Sequence, residues 1–144
     1  MKKIFMLLLC ICLCGCGSAS TGNTKFINEM STFCTNISDI DAAINKIENV
    51  TGDETGLAKA KKDLLYYLDI LNDEFKKFAN IDFPDEYNNM ESIADEASEY
   101  MSEAVRCYHI IYEDNYSDSM ENYAKENYSR AYKRVQHIIN VINQ

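Results

Sequence analysis

Apolar residues recur in steps of three and four along most of this chain, which is the spacing of one buried face of an α-helix. The period hardly changes, and no hairpin signal interrupts it, so the pattern predicts an all-α fold. The four stripes are Phe26, Met30, Phe33, Ile37, Ile40, Ile44 and Ile47; Leu57, Ala60, Leu64, Leu68, Leu71, Phe75 and Phe78; Met90, Ala94, Ala97, Met101, Ala104, Tyr108 and Ile111; and Met120, Ala124, Tyr128, Ala131, Val135, Ile138 and Ile142.

Residues that stop or cap helices separate the stripes. Thr51-Gly52 follows the first stripe and favours a helix end, and either Asp53 or Thr55 can cap the second helix. Pro84 is the only proline, and it suits the first position of the third helix. We therefore expect helix boundaries at these points.

The fourth helix is expected to start near Asp118, with Glu121 three residues later as a capping-box partner. The links between the predicted helices are short, and short links force neighbouring helices to run antiparallel. The sequence thus predicts an up-down-up-down four-helix bundle. A three-helix variant follows if the first segment docks loosely.

The first 16 residues form a separate unit. Lys2 and Lys3 precede an apolar run from Ile4 to Leu13, which gives way to Cys14, Gly15 and Cys16. A positive start, a short apolar core and small residues at the end are the parts of a secretory signal. The apolar run is about ten residues long, and a spanning helix needs about 20.

The run Leu13-Cys14-Gly15-Cys16 resembles the signal of a bacterial lipoprotein, because a small residue stands just before the final cysteine. The resemblance implies a diacylglyceryl group on the Cys16 thiol, an added acyl lipid, and cleavage before Cys16. The alternative is an ordinary cleaved signal with a chance cysteine. On the first interpretation, residues 1–15 are the signal peptide, 16–24 the lipidated cysteine with a flexible tether, and 25–144 the helical bundle. The protein would then be lipid-anchored to the cell membrane on its extracytoplasmic face.

The net charge of the chain limits the classes of molecule that it can bind. Residues 1–15 hold Lys2 and Lys3 and no acidic residue, so their removal changes the net charge from −9 to −11. An excess of negative charge argues against nucleic acid as a partner, because phosphate binding needs Lys and Arg.

Catalytic and metal-binding patterns are weak. His109 and His137 are the only histidines, and Arg106 and Arg134 stand where a di-iron bundle would need glutamate. His109, Glu113 and Asp114 could form a weak metal site, but a solvated histidine at the core boundary is the simpler interpretation. We predict no catalytic residue, no metal, and no cofactor beyond the lipid on Cys16.

Cys34 and Cys107 fall on helices that should run in the same direction, roughly 18 Å apart in height. A disulfide needs α-carbons within about 7 Å. We therefore expect two free thiols, unless the first helix is offset.

Acidic residues dominate the stretch 82–121, which holds 12 acidic side chains and one basic side chain, Arg106. Glu96, Glu99 and Glu103 share one helix face at spacings of three and four. This face could bind cations or a basic partner, although a solvated surface that keeps the domain soluble explains it more simply.

Tyrosines concentrate late in the chain, and several surround the link between the third and fourth helices. Tyrosine is favoured at interfaces because it combines apolar area with a polar tip. Filling of the core boundary is the alternative. The candidate partner-binding residues are Tyr112, Glu113, Asp114, Tyr116, Asp118 and Tyr123.

Three functions remain open at this stage. The first is a non-catalytic module that binds a protein at the cell envelope. The second is a carrier of a small molecule or metal with a site between helices, most easily beside Ala94, Ala97 and Ala104. The third is a protective, immunity-type lipoprotein that binds a cationic protein or peptide.

Overall fold

The computed structural model describes residues 21–50, 53–114 and 116–144, and within these ranges the chain contains helices and no strand. The α-helices are α1 (Thr21–Glu48), α2 (Glu54–Ala79), α3 (Glu91–His109) and α4 (Asp118–Ile142). The predicted all-α four-helix bundle is confirmed. None of the described helices combines the length and the apolar character that a membrane span requires.

Consecutive helices run antiparallel, since contacts further along one helix meet earlier positions on its neighbour. Phe33 stacks on Phe78 whereas Asn36 bonds to Glu74; Asn72 bonds to Ser102 whereas Asp69 bonds to His109; and Glu96 bonds to Arg134 whereas Tyr100 contacts Arg130. One end of the bundle, which we call the tyrosine end, is where α1 and α3 finish and α2 and α4 begin. The opposite end, where α1 begins, is the Thr21 end.

Helices α3 and α4 have the most extensive close backbone packing in the bundle. Small side chains explain this, because alanines on both helices are fully buried and let the two backbones approach. These alanines are Ala94, Ala97, Ala104, Ala124 and Ala131. The alanines of the third stripe therefore contribute to the close packing of α3 against α4.

The stripes predict the core well, with one clear error. Every member of the first and third stripes is buried except Ile47, which is half-buried and packs against the core. Leu57 in the second stripe is 41% exposed. It lies in the first turn of α2, close to the end of the bundle, where few side chains from the other helices remain to cover it.

Two helix starts differ from the prediction. Helix α1 begins at Thr21, so residues 21–24, which were assigned to the flexible tether, are helical. The third helix begins as a 3-10 helix over Asp85–Met90, with Pro84 at its N-cap, and becomes α-helical only at Glu91. Phe83 explains the tight entry, because its ring is buried against Phe26 with a centroid separation of 5.1 Å.

The predicted N-terminal cap of α2 is confirmed, and that of α4 is not. The Asp53 carboxylate accepts a hydrogen bond of 2.9 Å from the Gly56 backbone N–H and caps α2. The predicted capping box on α4 is wrong. Ser117 is the N-cap residue, and the Glu121 carboxylate instead accepts from the Tyr116 hydroxyl and the Lys125 ammonium.

Helix α3 does not end in a regular turn. A π-helical turn over Ile110–Asp114 follows it, and this wider turn carries Ile111 into the core while Tyr112 stacks on Tyr108, with ring centroids 6.3 Å apart. The turn therefore sets the direction of the first three candidate contact residues.

Replacing Ala97 with leucine should destabilise the bundle, because added volume must separate α3 from its neighbours. Overpacking of this kind costs about 1–3 kcal/mol. Urea unfolding followed by circular dichroism measures the change. Ala58→Leu is the control, since Ala58 is exposed on α2. Equal unfolding midpoints for the two variants would contradict the packing described for α3.

Candidate functional site

The tyrosine end carries most of the exposed large apolar side chains among the described residues. Val50, Leu57, Tyr116 and Tyr123 are 39%, 41%, 58% and 46% exposed. The only other such residue is Tyr66, on the side of α2. Exposed apolar side chains grouped at one place on a surface mark an interaction site more often than scattered ones do.

The predicted contact residues all lie at this end, but they are not equally available. Tyr116 and Tyr123 are exposed, as are Glu113, Asp114 and Asp118. Tyr112 is half-buried, and its ring packs against the core beside Tyr108. Tyr112 thus packs beneath the exposed side chains of the tyrosine end and supports them.

Val50 and Leu57 were not predicted as surface contacts. The apolar pattern alone assigns Leu57 to the core, and Val50 lies three residues after Ile47, the last member of the first stripe. Only the antiparallel topology brings the link between α1 and α2 to the same end as Tyr116 and Tyr123. The sequence contains a weak indication of their exposure, since Val50 directly precedes the predicted stop at Thr51-Gly52 and Leu57 follows it by five residues.

The acidic groups at the tyrosine end hold the link before α4 in place. The Tyr116 hydroxyl donates to the Asp118 carboxylate at 2.8 Å and also to Glu121. Glu121 is buried and accepts from the Lys125 ammonium at 2.5 Å. These bonds fix the position of the Tyr116 ring. Its exposed face is therefore available for contact, and the side chain does not have to become ordered when a partner binds.

His109 joins α2 to the π-helical turn. Its Nε2 lies 2.9 Å from an Asp69 carboxylate oxygen and its Nδ1 lies 2.9 Å from a Glu113 oxygen. Partial burial lowers the pKa of His109, but the two carboxylates outweigh it and the pKa is raised above 6.5. The ion pairs therefore stabilise the turn below pH 6.5 and weaken as pH rises through the raised value.

No group of three or more potential ligands in the described residues could hold a metal. The suggested His109, Glu113 and Asp114 site is accordingly not assembled, because the ring nitrogens of His109 are already bound to Glu113 and Asp69.

Two of the three glutamates on the acidic face of α3 are in ion pairs, and the third, Glu99, is exposed. Glu96 accepts from Arg134 at 2.6 Å, and Glu103 accepts from two nitrogens of Arg106. The Arg106 bonds hold the pKa of Glu103 below its usual value.

Cys34 and Cys107 are both buried free thiols, as expected from their separation along the bundle. Burial raises the pKa of the Cys34 thiol to about 12, and it raises that of Cys107 as well. A thiol that stays protonated is a poor nucleophile at neutral pH.

A buried carboxylate, which the apolar spacing does not reveal, lies between α1 and α4. Asp41 is 7% exposed, and the Tyr132 hydroxyl lies 2.8 Å from both of its oxygens. The Tyr128 hydroxyl donates to Asp41 at 2.7 Å. Burial raises the pKa of Asp41, and the two tyrosine hydrogen bonds oppose this rise without cancelling it.

Both tyrosines respond to the same environment. Burial and the neighbouring Asp41 raise the pKa of Tyr128 and of Tyr132 well above 10. The hydroxyls therefore stay protonated and remain donors at any physiological pH. The three residues tie α1 to α4 across the core.

Residues Leu13, Cys14, Gly15 and Cys16, which carry the lipoprotein resemblance, lie outside the described residues. Comparison with known proteins adds no relative: no family model, curated protein or solved structure matches the chain. Functional proposals therefore rest on the sequence and on the chemistry of the described residues.

Asp41→Asn should change how stability depends on pH. Because the pKa of Asp41 is raised in the folded state, its contribution to stability is fully present below about pH 3.8 and is lost as pH rises through the folded value. The stability of the natural protein should therefore increase relative to Asp41→Asn as pH falls from 7 to 4. Urea unfolding across this range measures the difference.

A pH-independent difference would contradict the raised pKa. Asp39→Asn is the control, since Asp39 lies on the exposed side of the same helix.

Proposed function

We propose that this protein is a lipid-anchored, extracytoplasmic helical bundle that binds a partner protein through its tyrosine end, without catalysis. The observation that carries the proposal is the grouping of Val50, Leu57, Tyr116 and Tyr123 at one end of the bundle. Aromatic side chains that are held rigidly before binding are efficient contact residues, because little side-chain freedom is lost.

The position of this end suits an anchored binding module. Helix α1 has 28 residues, which corresponds to a length of about 42 Å. Its first residue, Thr21, is five positions after Cys16. A lipid on Cys16 would keep the Thr21 end near the bilayer, and the tyrosine end would face away from it.

Charge indicates the nature of the partner surface. Glu113, Asp114 and Asp118 are exposed beside the apolar residues. Complementary charge favours encounter and suppresses wrong partners. The partner should therefore present an apolar patch bordered by Lys or Arg. The protective, immunity-type function is a special case of this contact, in which the cationic partner comes from outside the cell.

The lipid anchor can be tested by replacing its acceptor. Cys16→Ser should move the protein from the membrane fraction to the soluble fraction, because only a thiolate is alkylated by the lipid donor. Cys14→Ser is the matched control, since a small residue such as serine is acceptable at that position of the signal. Immunoblotting of fractions measures both variants. Firm membrane attachment of Cys16→Ser would refute the lipoprotein interpretation.

Partner binding can be tested by photo-crosslinking in intact cell envelopes. A photo-reactive residue at position 116 or 123 should capture one recurrent protein, identified by mass spectrometry. The same group at position 66 is the control, because Tyr66 is 61% exposed but lies on the side of α2. Capture of the same proteins from all three positions would contradict a specific surface at the tyrosine end.

The captured partner then allows a quantitative test. Combined Tyr116→Ala and Tyr123→Ala should weaken binding at least about 30-fold, the usual effect of removing a central aromatic contact. Tyr66→Ala should leave binding unchanged. Circular dichroism of each variant establishes that the bundle remains folded.

A further inference from the structure

The two ring nitrogens of His109 each contact a carboxylate, and this arrangement defines the charge of the ring. Nε2 lies 2.9 Å from an oxygen of Asp69 on α2, and Nδ1 lies 2.9 Å from an oxygen of Glu113 in the π-helical turn. An ionised carboxylate only accepts hydrogen bonds, whereas a neutral imidazole has one N–H donor and one acceptor nitrogen. Only the imidazolium satisfies both contacts together, so this geometry is that of protonated His109.

Asp69 from α2 and Glu113 from the turn are the charged groups that set the pKa of this ring. Partial burial lowers the pKa, but the two carboxylates outweigh it and raise the pKa above 6.5. Asp114, which follows Glu113 in the turn, is exposed. Other charged groups of α3 and α4 near this end are bonded to each other, in the pairs Arg106–Glu103 and Lys125–Glu121.

Loss of the proton from His109 leaves one of its two carboxylates without a donor. The Nε2–H form is the more stable neutral tautomer of a histidine side chain in water, and in this form Nε2 still donates to Asp69. Nδ1 then presents a lone pair to the Glu113 carboxylate, which is also an acceptor, so the two atoms repel each other. The Glu113 side chain is 56% exposed and can turn into water. Glu113 is therefore the carboxylate that is released.

The turn that carries Glu113 has other contacts that hold it in place. Ile111 is buried in the core, and the Tyr112 ring stacks on Tyr108. These apolar contacts do not depend on the charge of His109. The turn therefore keeps its position when the ion pairs weaken, and the change is confined to the side chain of Glu113.

We propose that the proton on His109 determines whether the Glu113 carboxylate is bonded within the protein or free at the tyrosine end. The surface gains negative charge when the proton leaves, because a cation is lost and a carboxylate is released. Complementary charge favours a cationic partner. The consequence for binding rests on the proposed function: affinity for the partner should rise as pH increases through the titration of His109.

NMR of the imidazole nitrogens tests the release of Glu113 without any partner. The whole chain, held in lipid nanodiscs, is prepared with isotope-labelled histidine and glutamate and titrated across the neutral pH range. Below the midpoint, both ring nitrogens of His109 should be protonated. Above it, Nδ1 should lose its proton, and the carboxyl carbon signal of Glu113 should shift with the same midpoint. Loss of the proton from Nε2, or a Glu113 signal that does not follow His109, would overturn the proposal.

Glu113→Gln and Asp69→Asn are a matched pair, because each removes one carboxylate from the ring. Either change should lower the midpoint of His109 by about half a pH unit, the effect of one exposed ion pair. His137 is exposed on α4 and should titrate as before. In Asp69→Asn, the Glu113 signal should still follow His109. An unchanged midpoint of His109 in Glu113→Gln, with the circular dichroism spectrum of the natural protein, would refute the contact.

The protein captured at position 116 or 123 is the probe for the effect on binding. Its affinity should be about threefold higher above the midpoint of His109 than below it, the scale of one exposed ion pair. His109→Asn should abolish this dependence on pH, and His137→Asn should leave it unchanged. An affinity that stays constant while Glu113 is released would overturn the control of binding. Failure to capture any protein would count against the proposed function alone, because the NMR titration judges the release of Glu113 by itself.

Discussion

The bond between Asp41 and the hydroxyls of Tyr128 and Tyr132 is the constraint on which the placement of α1 depends. Helix α1 packs closely along α2, whereas its side toward α4 is bridged by long tyrosine side chains. A buried hydroxyl without an acceptor is costly, and so is a buried carboxylate without donors. Each side of the contact therefore requires the other, and only one register of α1 against α4 satisfies both.

This register locates the proposed contact surface. It places the end of α1 at the level of the link before α4, so that Val50 lies at the same end as Tyr116 and Tyr123. A slip of one helical turn would move α1 by about 5 Å and leave Asp41 without its donors.

Much of the fold could be predicted from spacing, because burial imposes the helical period on apolar residues. Polar residues inside the core do not belong to the apolar stripes, so spacing does not predict their burial. Asp41 comes one position after Ile40 and would be assigned to solvent, and Tyr132 falls outside the stripe that contains Tyr128.

Local chemistry at the helix ends also depends on tertiary contacts. Glu121 is drawn to Tyr116 and Lys125, so the capping box that the sequence favoured does not form. The exposed tyrosines could be predicted, but their apolar neighbours on the first link required the topology.

The same buried bond has a mechanical consequence. A force applied at Thr21 along the axis of α1 would load the contacts of that helix in shear, because the helix lies parallel to its neighbours. The bonds from Asp41 to Tyr128 and Tyr132 run across the direction of pull and share the load with the apolar contacts on either side. Helix α1 would have to slide as a unit before any turn came free. A pull on the start of α1 would therefore meet resistance along the whole length of the helix.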